Sequence, residues 1–178
     1  FTTGYLGDSR AGLHMLLNGI EVDTSPYLAL LEAHLQPYPY LREGRFLAAQ
    51  PDVHAAIDVS DGALSDIGHI LEASGVGGRL WAQHIPVSPA LEQFTTDFGF
   101  DAVDFALAGG EDYTLVVTIA ADQAQAVRKM YEARFDKTIY EIGDINDHTD
   151  KVIIEATAGV RHAKHNSWNH IKKEKKTS

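Results

Sequence analysis

The 178 residues contain no cysteine, which excludes disulfides and zinc–thiolate centres from this stretch. No apolar run approaches the roughly 18 residues that a membrane span needs. No N-terminal stretch reads as a secretory leader either, so the expectation is cytoplasmic residence. Positive charge is scarce: 15 Lys and Arg against 25 Asp and Glu give a formal net charge of −10. That balance speaks against nucleic acid as a partner. It is compatible with a phosphate ligand, because Mg²⁺ can bridge carboxylates and phosphates. An initiator Met is lacking too. Phe1-Thr2-Thr3-Gly4 reads as the end of a strand entering a turn, and the expectation is a chain that begins inside a longer protein. What is present is 44% hydrophobic residues, enough at this length for a substantial core.

Periodicity organises the chain into an alternation of helices and strands. Leu13, Leu16, Leu17 and Ile20 predict a helix over 9–19, capped by Asp8 or Ser9 and ended by Gly19. Ser25-Pro26 predicts the start of a second helix, with Leu28, Leu31 and Leu35 as its apolar stripe. Residues 41–50 read as a further helix. Ala55–Val59 reads as a buried strand, followed at once by a helix whose face carries Leu64, Ile67 and Leu71 and which ends at Ser74-Gly75. Gly77-Gly78 predicts a turn before a strand at Arg79-Leu80-Trp81. Helices are predicted from Ser88-Pro89 to Phe98, over Asp101–Leu107, and around Ala124, Val127 and Tyr131. Strands are predicted over Tyr113–Ile119, Ile139–Ile142 and Val152–Ala156. This order predicts an α/β (α+β layered) domain in which helices pack a mixed sheet.

Three segments stand out chemically. In Asp58-Val59-Ser60-Asp61-Gly62, two carboxylates and a hydroxyl sit between a strand and a helix N-terminus. Free backbone N–H groups at such a joint can face phosphate oxygens while the carboxylates hold Mg²⁺. Helix capping by Asp or Ser is the alternative reading. In Ala108-Gly109-Gly110-Glu111-Asp112-Tyr113, paired glycines allow close backbone approach, and two acids follow. If both acids lie in the strand, one faces a ligand while the other braces a loop. In Thr3–Leu13 a glycine-punctuated turn leads into a helix; it has neither P-loop nor dinucleotide spacing, and backbone packing is its expected task. The nine histidines, His162, His165 and His170 among them, show no established metal-ligand spacing.

Together TGYLGDSRAGL (3–13), IDVSDGALSDIGHIL (57–71) and ALAGGEDYTLVVTI (106–119) resemble the C-terminal half of thiamine-monophosphate kinases, within the AIR synthase-related superfamily. IDVSDG alone is shared loosely across the superfamily, and its combination with SDIGHIL and GGEDYTL is specific to the kinases. The resemblance implies transfer of the ATP γ-phosphoryl group to thiamine monophosphate, with Mg²⁺ and ATP bound. It implies Asp58 and Asp61 as metal ligands, Ser60 as an ATP contact and Glu111 as a thiamine contact. No catalytic base or nucleophile is implied, since a phosphate acceptor is already ionised near pH 7.

The resemblance also divides the chain: an AIR synthase-related C-terminal domain over 1–171, then a basic tail over 172–178. The N-terminal half with further acidic ligands and much of the ATP site is absent, so the isolated chain is expected to be inactive. The full-length protein is expected to be a homodimer, with neither nucleic acid nor membrane as partner. Kinases of this family often end in Gly-aromatic-Asp-His-Phe; here Ser167-Trp168-Asn169-His170-Ile171 keeps the aromatic and the histidine only. Trp168 is the expected aromatic substrate contact, able to stack on a cationic thiazolium ring. Two other readings stay open: another AIR synthase-related ATP enzyme, such as a hydrogenase-maturation protein, or a non-catalytic binding module of the same fold.

Overall fold

A computed structural model describes residues 1–20, 27–147, 152–156 and 159–162 of the chain. The elements run α1 (Asp8–Asn18), α2 (Tyr27–Leu35), α3 (Leu41–Ala48), β1 (Val53–Asp58), α4 (Ala63–Ser74), β2 (Gly77–Trp81), α5 (Pro89–Phe98), α6 (Ala102–Leu107), β3 (Leu115–Ile119), α7 (Ala124–Phe135), β4 (Gly143–Asn146), β5 (Val152–Ala156) and β6 (Gly159–His162). The mixed α/β expectation holds, but the strands form two small sheets. β1 and β3 pair antiparallel, with Asp58 opposite Leu115. The second sheet, ordered β4-β2-β5-β6, is mixed: β2 and β5 are parallel and its other pairs antiparallel.

Phe1–Thr3 run beside β3, as the strand-like reading of the first residues requires. Thr2 exchanges backbone hydrogen bonds with Tyr140 at 2.8 Å, Thr3 N–H donates to Leu115 C=O, and Val117 N–H donates to Phe1 C=O. One core gathers Leu6, Met15, Leu30, Val59, Leu91 and Phe94 among the helices. A second, formed by Leu47, Val117, Val127, Tyr131 and Ile139, lies between α3, α7 and β3.

Local signals that involve few residues are realised. Ser88 caps α5 by accepting from Leu91 N–H, and Asp101 caps α6 by accepting from Asp104 N–H. Gly19 and Gly75 end α1 and α4 in the left-handed conformation. The apolar stripes of the first two helices are realised only in part, by Ile20 and Leu31 packed against the core. Leu16 and Leu17 are exposed, Leu17 by 76%, while Ala11, Gly12 and Met15 are buried. In α2 the buried residue is Leu30, and Leu28 and Leu35 face solvent. The reason is a close helix crossing. A Cβ on Gly12 would lie 2.3 Å from Leu30 C=O and 2.8 Å from His34 Cβ, so the small face of α1 is the one its partner can approach.

The strands differ as well: β1, expected as a buried strand over Ala55–Val59, runs Val53–Asp58 with half-buried and exposed residues alternating, and three other boundaries shift. Gly77 and Gly78 belong to β2 rather than to a turn; a Cβ at Gly78 would lie 2.9 Å from Leu71 Cδ1, so the strand needs the missing side chain to pack on α4. Residues 139–142 form no named strand: Tyr140 bridges Thr2, Ile142 C=O accepts from Trp81 N–H, and the strand follows at Gly143–Asn146. β3 begins at Leu115, because Tyr113 adopts a left-handed backbone. The basic tail lies outside the described residues. No helix among those described is long and apolar enough to cross a membrane.

Candidate functional site

The three segments singled out in sequence meet at one junction, and glycines make the approach possible. A Cβ on Gly110 would sit 2.5 Å from Ser60 C=O, and one on Gly109 would sit 3.1 Å from Gly7 Cα. Gly7 itself has φ 89° and would place a Cβ 2.7 Å from Ala106 Cα, so both its conformation and its surroundings require glycine. The loops are then tied by backbone hydrogen bonds: Glu111 N–H to Ser60 C=O at 3.0 Å, Tyr113 N–H to Val59 C=O at 2.9 Å and Val59 N–H to Thr114 C=O at 2.8 Å.

Asp66, in the first turn of α4, organises the Asp58–Gly62 loop. Its Oδ2 accepts from the N–H groups of Ser60, Asp61 and Gly62 at 3.0, 3.2 and 3.2 Å. Burial pushes the Asp66 carboxyl above its usual range, opposed by these N–H donors. Two expectations about this joint are thereby corrected. The N-cap of α4 is Gly62, which has no side-chain cap, so Asp58, Ser60 and Asp61 are not capping residues. Of the N–H groups expected to face phosphate, those of Ser60, Asp61 and Gly62 are already bonded to an internal carboxylate. Freed from capping, Asp58 and Asp61 are both exposed, Asp58 at the end of β1 and Asp61 in the loop; Ser60 is half-buried.

Asp112 performs the equivalent task for the loop before α1. Its two carboxylate oxygens accept from Gly7 N–H at 2.7 Å and Ser9 N–H at 3.1 Å. α1 is therefore capped by an acid a hundred residues away and not by Asp8 or Ser9. Burial pushes Asp112 up to about 7, against the two N–H donors. Burial likewise pushes Asp8 up to about 6, opposed by its hydrogen bond from Ser88 Oγ at 2.7 Å. Asp112 thus braces a loop while Glu111 faces outward, as the paired acids predict, but by another route. Neither acid lies in the strand; left-handed backbones at Glu111 (φ 62°) and Tyr113 (φ 52°) turn the side chains apart. Such conformations cost on the order of 1 kcal/mol each in non-glycine residues.

Glu111 is open to solvent over 53% of its side chain, and its Oε2 lies 3.5 Å from His34 Nδ1 on α2. Asp58 reaches a separate groove of about 740 Å³, which it lines with Tyr38, Tyr40, Arg45, Tyr113 and Leu115. The junction therefore joins Ser60, Asp61 and Glu111 through their backbones, while Asp58 borders the adjoining groove. Trp168 lies outside the described residues. Among those described, no group of three or more His, Asp or Glu side chains could hold a metal ion. Asp58 and Asp61, all-oxygen donors exposed on one loop, suit the pattern of Mg²⁺ held by one or two carboxylates together with phosphates and water.

The organising residues Asp66 and His34 escape the sequence reading. An acid four residues after a glycine N-cap, with no capping side chain before it, is the available signal for Asp66. His34 carries no such local signal, since its partners come from α1 and from residue 111.

Comparison with known proteins gives this junction its relatives. The thiamine-monophosphate kinase of Salmonella typhimurium is 41% identical over 121 residues, covering 67% of this chain and 36% of the kinase. A solved structure described as AaThiL complexed with AMPPCP and TMP superposes with a TM-score of 0.76 at 28% identity, covering 96% of this chain and 50% of that one. Escherichia coli HypE, a hydrogenase maturation protein, shares the fold with a TM-score of 0.73 at 20% identity, over 92% of this chain and 48% of its own. The chain thus spans about a third to a half of the length of these relatives. The family model for the AIR synthase related protein, C-terminal domain, matches residues 4–155, and the chain belongs to that family.

Proposed function

We propose that this chain is the C-terminal part of a thiamine-monophosphate kinase, which transfers the γ-phosphoryl group of ATP to the phosphate of thiamine monophosphate. The observation that carries the reading is the hydrogen bond from Glu111 N–H to Ser60 C=O. It couples the residue assigned to thiamine directly to the loop assigned to ATP and metal. Phosphoryl transfer depends on positioning and charge neutralisation, and a junction locked by glycine contacts and two internal carboxylates supplies positioning.

In this reading Ser60 contacts ATP, and Glu111 places a carboxylate beside the cationic thiamine. Asp58 and Asp61 would hold Mg²⁺, which neutralises phosphate charge when bound. Trp168 stacks on the substrate ring. No residue here acts as general base, because the accepting phosphate oxygen is already ionised. The domain extends over 1–171 with a basic tail beyond it, and an N-terminal half completes the metal and ATP sites. The complete protein is a cytoplasmic homodimer, and this chain alone does not turn over.

The test is ATP-dependent conversion of thiamine monophosphate by the full-length protein, with Asp61→Asn alongside. Turnover by the parent, with a loss of about 100-fold or more in Asp61→Asn, is expected. A parent without turnover refutes the kinase reading, and an unchanged Asp61→Asn rate removes the metal role. Robust activity from residues 1–178 alone overturns the dependence on a second half. The shared fold of HypE motivates the same assay without thiamine monophosphate, as a check for another ATP-consuming reaction.

A further inference from the structure

We infer that His34 is a positioning residue for Glu111, fixing the carboxylate that faces the thiamine group; this rests on the kinase reading above. His34 arrives from α2, whose approach to α1 at Gly12 brings its Cβ to the surface of the first helix. There its Nδ1 lies 3.0 Å from Ser9 Oγ and 3.5 Å from Glu111 Oε2. Ser9 is buried and acts twice: its hydroxyl meets His34, and its N–H donates to Asp112, the residue after Glu111. Glu111 is therefore approached on each side. Its own N–H is bonded to Ser60, its neighbour is pinned to α1, and its carboxylate faces an imidazole whose side chain is only 15% exposed.

The acceptors define the proton. An ionised carboxylate only accepts hydrogen bonds, so the tautomer that can serve Glu111 is the one with its hydrogen on Nδ1. Ser9 Oγ can then accept from that same N–H. The opposite tautomer would turn a nitrogen lone pair toward a carboxylate oxygen. The geometry also excludes a Ser–His–acid nucleophile system. That arrangement needs the hydroxyl and the carboxylate on opposite ring nitrogens, whereas Ser9 and Glu111 both face Nδ1. What remains is orientation: one oxygen of Glu111 lies 3.5 Å from a sheltered ring nitrogen, while 53% of the side chain stays open for a cationic ligand.

Steady-state kinetics of the full-length protein test this. His34→Leu removes the donor and is expected to raise KM for thiamine monophosphate by about 10-fold, with KM for ATP and kcat changed by less than about 2-fold. His34→Asn, whose amide nitrogen occupies the Nδ1 position, is expected to restore KM to within about 3-fold of the parent. In a Glu111→Gln background, His34→Leu is expected to add no more than about 2-fold. If Glu111→Gln raises KM while His34→Leu does not, the positioning role is overturned and the assignment of Glu111 stands. If Glu111→Gln leaves KM unchanged, the assignment of Glu111 fails and the positioning role falls with it. Should His34→Leu not accumulate as folded protein, the isosteric contrast decides: His34→Asn near the parent and His34→Gln raised supports the role, and equal KM values for the two overturn it.

Discussion

Replacing Asp66 separates two ways in which a carboxylate can hold a loop. Ser60, Asp61 and Gly62 all donate to one oxygen, Oδ2, at 3.0–3.2 Å. Asp66→Ala leaves the buried Gly62 N–H without an acceptor, at about 1–3 kcal/mol. The N–H groups of Ser60 and Asp61 lie nearer solvent, and water replaces part of what they lose. Relief from burying a charged carboxylate returns some stability, so the net cost is about 2–4 kcal/mol. For a domain of this size that corresponds to a fall in Tm of roughly 5–12 °C. Asn can present its carbonyl oxygen to the same three donors and its amide where Oδ1 stands. It loses charge assistance, roughly half of each bond's strength, but also loses the burial penalty on the charge, and the cost is about 1 kcal/mol. Thermal unfolding of the two variants tests the order Asp, Asn, Ala. Under the proposed kinase function, Asp66→Ala in the full-length protein is expected to lower kcat/KM by about 100-fold through a loosened Asp58–Asp61 loop. An Asn variant as unstable as Ala would refute the argument, because charge and not acceptor geometry would then be holding the loop. An Ala variant with the parent Tm would refute it outright.

Gly110→Ala places Cβ 2.5 Å from Ser60 C=O, a backbone atom that cannot rotate away, and is expected to cost about 1–3 kcal/mol in urea unfolding with a matching loss of activity; Gly75→Ala, with φ 66° but no neighbour within 4 Å, should lose about 1 kcal/mol of stability and no activity. Asp8 and Asp112 are protonated in the folded domain up to about 6 and about 7, against an ordinary 3.8. The folded state therefore binds more protons than the unfolded one between about pH 4 and 7, and these groups' contribution to stability is lost as pH rises through that window. Asp112→Asn is accordingly expected to gain on the parent by up to about 4 kcal/mol between pH 4 and 8; a constant difference between the two urea midpoints would remove the buried-carboxyl interpretation. Lys137→Met leaves Glu43, 1% exposed and otherwise partnered by Lys137 Nζ at 2.8 Å, as a charge without its cation. A loss of about 2–4 kcal/mol is expected, largely recovered in Glu43→Leu/Lys137→Met, and calorimetry of single and double variants measures it.

How far the fold was legible follows the range of each determinant. Ser88-Pro89, Asp101, Gly19 and Gly75 act within one turn of their own helix, and the structure places the boundaries where those residues predict. Ala124, Val127 and Tyr131 are buried on α7 as their spacing requires. The faces of α1 and α2 were not legible, because leucine periodicity records where apolar surface lies but not which surface a partner can reach. Gly12 decides that, by letting Leu30 C=O approach within a distance no Cβ tolerates. The displaced leucines, Leu13, Leu16 and Leu17, remain at the surface.

The same distinction governs the site. Asp58, Ser60, Asp61 and Glu111 stand out in sequence because they sit in short, unusual strings, and the close approach expected of Gly109 and Gly110 is realised against Gly7 and Ser60. The residues that hold those strings in place are ordinary by composition. Asp66 reads as one more acid near a helix start, Asp112 as the second of a pair, and His34 as a polar position on a helix. The fold brings distant partners to Asp112 and His34, across 105 residues for Asp112 and Gly7, whereas those of Asp66 lie only four to six residues before it. The consequence is asymmetric under mutation. Exposed Asp58 and Asp61 can be changed at little cost to folding, so their loss tests the proposed metal role; Asp66 and Asp112 couple folding to that site, and a variant there that loses activity must be compared by Tm before any part in the proposed reaction is assigned. His34 lies between these limits, since it touches both the buried Ser9 and the open Glu111, and only a substrate-specific change in KM separates its positioning role from its packing.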